Sequence, residues 1–229
     1  MSKVKICGLS RAEDIEAVNR AVPDYIGFVF APGKRQIGIA DAAYLKKKLK
    51  LGILTVGVFV NEDPRTVANA YQSGVIDIAQ LHGNEDDEYI NQLKNICGCT
   101  VIKAIGINEA LPAALPEQPN YLLFDTLLNP AGATAVNSKP PLCSNHATEP
   151  FPQTNFGGAG KTFDWGILAN YSGPRYFLAG GLNADNIKAA LKQLSPFCVD
   201  VSSGVETNGR KDAYKIEEFV KLVRGNNSL

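Results

Sequence analysis

The chain has 229 residues, 45% hydrophobic and 20% charged, with Lys+Arg and Asp+Glu equal at 23 each. That length suits one sizeable core and leaves little room for a second folded unit. The balanced charge offers no excess for nucleic acid or an anionic membrane surface, and no apolar run nears the ~20 residues of a membrane span. The N-terminus MSKVKICGLS lacks the apolar segment of a secretion signal, so the expected location is the cytoplasm. Five cysteines, at 7, 97, 99, 143 and 198, and two histidines form no paired CxxC, which disfavours a disulfide framework or a zinc site and fits reduced thiols.

Short apolar runs recur at residues 4–6, 25–30, 54–60, 76–81, 100–105, 121–124, 176–179 and 198–201. Most are almost continuously apolar, as parallel strands buried on both faces require. Amphipathic segments lie between them. Ile15, Val18 and Val22 share one helical face, as do Val67, Ala70 and Tyr71. Residues 185–194 read as a helix, Asp164 suits the N-cap of another at 165–171, and Ile216, Phe219, Val220 and Val223 mark the last. This regular strand–helix repeat predicts a (β/α)8 TIM barrel, one domain over residues 1–229. The repeat breaks once, after the sixth strand. Residues 127–156 are rich in Pro, Asn, Ser and Thr without helical period, and read as a long inserted loop, either a functional lid or a tolerated surface insertion.

The last two runs end in small, flexible turns, Gly180-Gly181-Leu182 and Ser202-Ser203-Gly204. Such turns leave backbone N–H groups bare and admit an anion, and the turns after strands seven and eight are the usual phosphate site of this barrel. The expected ligand is therefore a small phosphorylated molecule. Residues that close the other strands face the reaction. Cys7 closes the first and is either a small buried hydrophobe or a general base. Asp125 closes the sixth and is either a turn cap or a general acid across the mouth from Cys7. His82 follows the fourth at a turn with Gly83, Arg35 follows the second and suits an anionic carboxylate, and Asp200 lies in the eighth. Gly157-Gly158-Ala159-Gly160-Lys161 lacks the spacing of a nucleotide-binding P-loop.

Taken together, Lys5-Ile6-Cys7-Gly8, Gly27-Phe28-Val29-Phe30 leading to Lys34-Arg35, Gln80-Leu81-His82-Gly83, Phe124-Asp125, residues 157–165, Ala179-Gly180-Gly181-Leu182 and Asp200-Val201-Ser202-Ser203-Gly204-Val205-Glu206 resemble the phosphoribosylanthranilate isomerases of tryptophan biosynthesis. Two features depart from the family pattern, the length of segment 127–156 and Gly-Gly-Ala-Gly in place of Gly-Gly-Thr-Gly. The resemblance implies an Amadori rearrangement of N-(5-phosphoribosyl)anthranilate, with no cofactor or metal. It implies Asp125 as acid, Cys7 as base, Arg35 on the anthranilate carboxylate, His82 and Asp200 among the substrate contacts, and Gly180, Gly181, Ser202, Ser203 and Gly204 on the phosphate. A monomer or a homodimer fits equally. Two other readings stand beside it: the histidine-pathway isomerase, whose expected pair of aspartates Cys7 does not match, and an inactive barrel that only binds.

Overall fold

The computed structural model describes residues 1–126 and 162–225. Segment 127–156, expected to be an inserted loop, lies outside the described residues, as does 157–161. Eight strands, β1 (Lys3–Cys7), β2 (Tyr25–Val29), β3 (Leu54–Phe59), β4 (Ile78–Leu81), β5 (Thr100–Ile107), β6 (Tyr121–Thr126), β7 (Tyr176–Leu178) and β8 (Cys198–Val201), pair in parallel in chain order, and β8 closes on β1. Around them lie helices α1 (Ala12–Ala21), α2 (Ile39–Lys46), α3 (Pro64–Gln72), α4 (Asp87–Cys97), α5 (Ile187–Gln193) and α6 (Ala213–Gly225). The barrel expected from the sequence is the barrel found. No described helix is long and apolar enough to cross a membrane.

The strands are apolar on both faces because both are covered. Val4, Ile6, Phe28, Phe124, Leu178 and Val199 pack outward against the helices, and Tyr25, Val56, Leu123, Phe177 and Cys198 fill the barrel. Helix ends follow local chemistry. Asp63 caps α3 by accepting from the Arg65 N–H at 2.7 Å, with Pro64 as first helical residue. Asp86 caps α4, which stops where Gly98 turns left-handed.

The strand–helix repeat is less regular than its spacing suggests. The link from β5 to β6 has no helix. Pro112, Pro116 and Pro119 each remove a donor and disfavour helix at the residue before, so the link runs irregularly and is tied to α4 instead. There, Asp87 accepts from the Glu117 and Gln118 N–H groups at 3.1 and 3.0 Å. The helix expected at 165–171 is a 3-10 turn, Trp165–Leu168, capped by Asp164.

Val22 also departs from expectation. It lies beyond α1 as its C-cap, 41% exposed, with φ 52°. A β-branched residue there costs roughly 1–2 kcal/mol relative to the right-handed region. Val22→Asn, which tolerates this backbone, is expected to stabilise the fold by about 0.5–1 kcal/mol in urea denaturation. A loss of stability would show that the isopropyl packing outweighs the strain.

Candidate active site

Since all eight strands are parallel, their C-terminal ends gather at one rim. Side chains alternate along a strand, so residues two apart share a face. Leu123 and Asp125 therefore point the same way on β6, Cys198 and Asp200 on β8, Lys5 and Cys7 on β1. Leu123 and Cys198 belong to the apolar filling of the barrel. One layer up, toward the rim, the same inward rows become polar, and this layer forms the floor of the mouth.

Cys7, the last residue of β1, is 9% exposed. Its Sγ rests against Gly27 of β2, where an added Cβ would lie 2.7 Å from it. Burial pushes the thiol up from its ordinary value, and the Lys5 ammonium opposes that shift. Lys5 is fully buried and bonds Asp200 Oδ2 at 2.8 Å, across the β1–β8 seam. Burial weighs against the ammonium, but Asp200 and Cys7 hold it above its ordinary value. Asp200 Oδ1 is buried with no hydrogen-bond partner among the described residues.

Asp125 is held by the Thr126 N–H, 2.7 Å from its Oδ1. Burial, reinforced by the nearby Asp200 carboxylate, pushes its carboxyl up to about 7. His82 Nε2 stands 3.6 Å from Asp125 Oδ2, and Gln80 Nε2 is 3.2 Å from His82 Nδ1. Burial, then the Lys5 and Lys103 cations, pushes His82 down to about 3. Between those two values His82 is neutral and the proton of the pair resides on Asp125. Lys103, itself buried on β5, is fixed by Glu85 Oε2 at 2.8 Å and by the Gly83 carbonyl at 2.6 Å, which anchors the turn that carries His82.

The turns after β7 and β8 pack directly on one another. A Cβ on Gly204 would collide with the Leu182 carbonyl oxygen and lie 3.0 Å from Asn183 Cα. Gly180 and Gly181 both have positive φ, 83° and 62°. Gly180 also abuts Asp125, since a Cβ there would strike Thr126 and come 3.3 Å from Asp125 Oδ1. Ser202 Oγ donates to the Cys7 carbonyl at 3.0 Å, which ties the β8 turn to β1. Ser203 and Gly204 begin a 3-10 turn that ends at Val205.

Arg35 sits at the rim. Its stem crosses Gly8, where φ is 83° and a Cβ would lie 2.5 Å from Arg35 Cδ. The guanidinium is engaged by Glu206 in a two-point pair, Nε–Oε1 at 2.8 Å and Nη2–Oε2 at 3.0 Å. Lys211 bonds the same Glu206 at 2.6 Å and the Ser202 carbonyl at 2.9 Å. Glu206 and Lys211 belong to a short hairpin, β9 (Glu206–Thr207) with β10 (Arg210–Lys211). The structure thus gathers Cys7, His82, Asp125 and Asp200 on one floor, sets the two Gly/Ser turns beside them, and leaves Arg35 held at the edge by an acidic partner. Sequence reasoning assigns no role to Lys5, Glu206 or Lys211, although Lys5 and Glu206 stand within the motifs that resemble the family. Lys5 carried a further signal, a cation between Val4 and Ile6 in a doubly buried strand. The pairing of Glu206 and Lys211 with the rim carried none, because a hairpin after the last strand has no fixed direction in sequence.

A closed parallel barrel with a buried carboxyl, a thiol and two Gly/Ser turns at its C-terminal rim has the layout of a (β/α)8-barrel enzyme. The family described as N-(5'phosphoribosyl)anthranilate (PRA) isomerase matches residues 4–222, and the chain belongs to it. The N-(5'-phosphoribosyl)anthranilate isomerase of Endomicrobium trichonymphae is 43% identical over 98% of this chain and 99% of its own length. The phosphoribosyl anthranilate isomerase of Thermotoga maritima superposes with TM-score 0.75 at 32% identity, over 98% of this chain and 100% of that one. A second solved isomerase, in complex with reduced 1-(o-carboxyphenylamino)-1-deoxyribulose 5-phosphate, superposes with TM-score 0.73 at 29% identity, over 98% of this chain and 100% of the other.

Proposed function

We propose that the chain carries out its family's isomerisation, in tryptophan biosynthesis, with Asp125 as general acid and Cys7 as general base. The observation that carries this assignment is the burial of both groups on one floor, with the Asp125 carboxyl raised to about 7 and the Lys5 ammonium opposing the upward push on the Cys7 thiol. Asp125, raised to about 7, holds a proton to donate near neutrality. It protonates the furanose ring oxygen, the C1–O bond breaks, and the anthranilate nitrogen lone pair completes a protonated imine at C1. The thiolate of Cys7 removes the proton from C2, and the electrons of that bond neutralise the imine to an enolamine. Asp125, now a carboxylate, takes the C2 hydroxyl proton and the Cys7 thiol returns a proton to C1, which gives the ketone and restores both groups. Atoms and charge balance without any external reagent.

The remaining residues bind. Gly180, Gly181, Ser202, Ser203 and Gly204 receive the phosphate through backbone N–H groups. Asp200, through its unpartnered Oδ1, accepts from the substrate amine or a hydroxyl. His82 is neutral and donates or accepts beside Asp125. Arg35 takes the anthranilate carboxylate, which requires it to exchange or share its present bond to Glu206. The chain acts as one barrel domain, in the cytoplasm, on a small molecule, as a monomer or homodimer.

Two measurements test it. Purified protein should quench the fluorescence of phosphoribosylanthranilate with turnover, and no loss beyond the uncatalysed rate would end the proposal. The pH profile follows from the two protons. The active form has Asp125 protonated and Cys7 ionised. Its fraction grows as pH rises toward about 7 because Cys7 ionises while Asp125 stays protonated. Above that value the gain at Cys7 and the loss at Asp125 cancel, and beyond the raised thiol value only the loss remains. kcat/KM should therefore climb to about pH 7, stay flat and then fall. Activity that declines from pH 5 to 7 would reverse the assignment.

A further inference from the structure

Lys5 has no part in the scheme above, yet it is fully buried in the floor of the mouth. Five titratable groups feel its charge from four elements: Asp200 and Cys198 on β8, Cys7 on β1, Asp125 on β6 and His82 after β4. Lys5 lies two residues before Cys7, on the same face of β1, and its ammonium and the thiol interact electrostatically. Its Nζ is pinned by Asp200 Oδ2 at 2.8 Å, and the other oxygen of that carboxylate has no bond among the described residues. Cys7 also feels Asp200 and the more distant cations Lys211 and Arg35.

Resting on the assignment of Cys7 and Asp125 as base and acid, we propose that Lys5 is a positioning residue for the isomerisation, whose fixed ammonium favours the ionised thiol of Cys7 and makes the Asp125 proton easier to give up. The charge acts through space on both groups and touches neither reacting carbon. A buried ion pair is not needed to fill a barrel, since apolar residues of like volume serve as well or better. Placed where a thiolate must form in a dry cavity, a cation offsets part of the cost of desolvating the sulfur. Pairing with Asp200 keeps that cation charged and aimed.

The test compares wild type with Lys5→Gln, which can still donate to Asp200, with Lys5→Met, which cannot, and with Lys5→Arg, which keeps the charge. The readout is the rate of iodoacetamide alkylation of Cys7 against pH, followed on its own peptide by mass spectrometry so that the other cysteines do not interfere. In the neutral variants the midpoint for Cys7 should move up by about one unit or more, and Lys5→Arg should restore much of it. Both limbs of kcat/KM should shift to higher pH. At pH 6, where Asp125 remains protonated, kcat/KM should drop about tenfold. Coincident alkylation profiles in wild type and a folded neutral variant would overturn the proposal. So would loss of folding, by circular dichroism, in both neutral variants while Lys5→Arg folds, because the pair would then be structural. Alkylation needs no turnover, so a Cys7→Ser enzyme of normal kcat would instead defeat the base assignment itself.

Discussion

Cys7→Ser is expected to lower kcat by roughly 10²–10⁴, the usual worth of a positioned base, with KM little changed. The hydroxyl is a far weaker acid than a thiol of ordinary pKa ~8.5, so almost no alkoxide forms at neutral pH. The site itself should survive, because the seat against Gly27 is already tight around sulfur and the smaller oxygen fits within it. Asp125→Asn should be at least as damaging. The amide preserves the shape and can still accept from the Thr126 N–H, but carries no transferable proton. It should also change the pH profile, since the break near pH 7 belongs to Asp125; residual kcat/KM should keep rising until Cys7 is ionised. Stopped-flow fluorescence on both variants decides the matter. A near-normal kcat in Cys7→Ser would return Cys7 to the role of a small core residue, with Asp200 or His82 next to be tried as base.

Gly204→Ala is expected to strike the phosphate site harder than its size suggests. The added methyl would meet the Leu182 carbonyl and Asn183 Cα, both backbone, so nothing can swing aside. The two turns must part, and with them the N–H groups proposed to receive the phosphate. kcat/KM should fall by about 10²–10³, mostly through KM, since misplacement of a binding element by about an ångström costs on that order. Overpacking of this kind also destabilises by about 1–3 kcal/mol, so a lower melting temperature should accompany the loss. Inorganic phosphate, as a competitive inhibitor, should weaken in parallel. If Gly204→Ala bound substrate and phosphate normally, the anion would have to sit elsewhere.

The parallel barrel was legible in the apolar runs because a strand covered on both faces has no room for alternation, and the spacing of runs measured a strand plus its crossover. The floor of the mouth was legible too. Parallel strands send every C-terminal end to one rim, so Cys7, Asp125, Asp200 and the turns at Gly180 and Ser202 had to converge once the topology was granted. Proline chemistry at 112, 116 and 119 could have shown that the β5–β6 link lacks a helix, but the regular spacing of the strands hid it. What the tertiary structure alone decided is which charges meet. Lys5 finds Asp200 195 positions away through the closing register of β8 on β1, and Arg35 finds Glu206 171 positions away. Burial and two lysines push His82 down to about 3, so it stays neutral even in mild acid. Residue type and spacing set where a side chain can point along its own element, but the strength of a charge depends on its neighbours in space and on the water removed, and both are properties of the closed barrel.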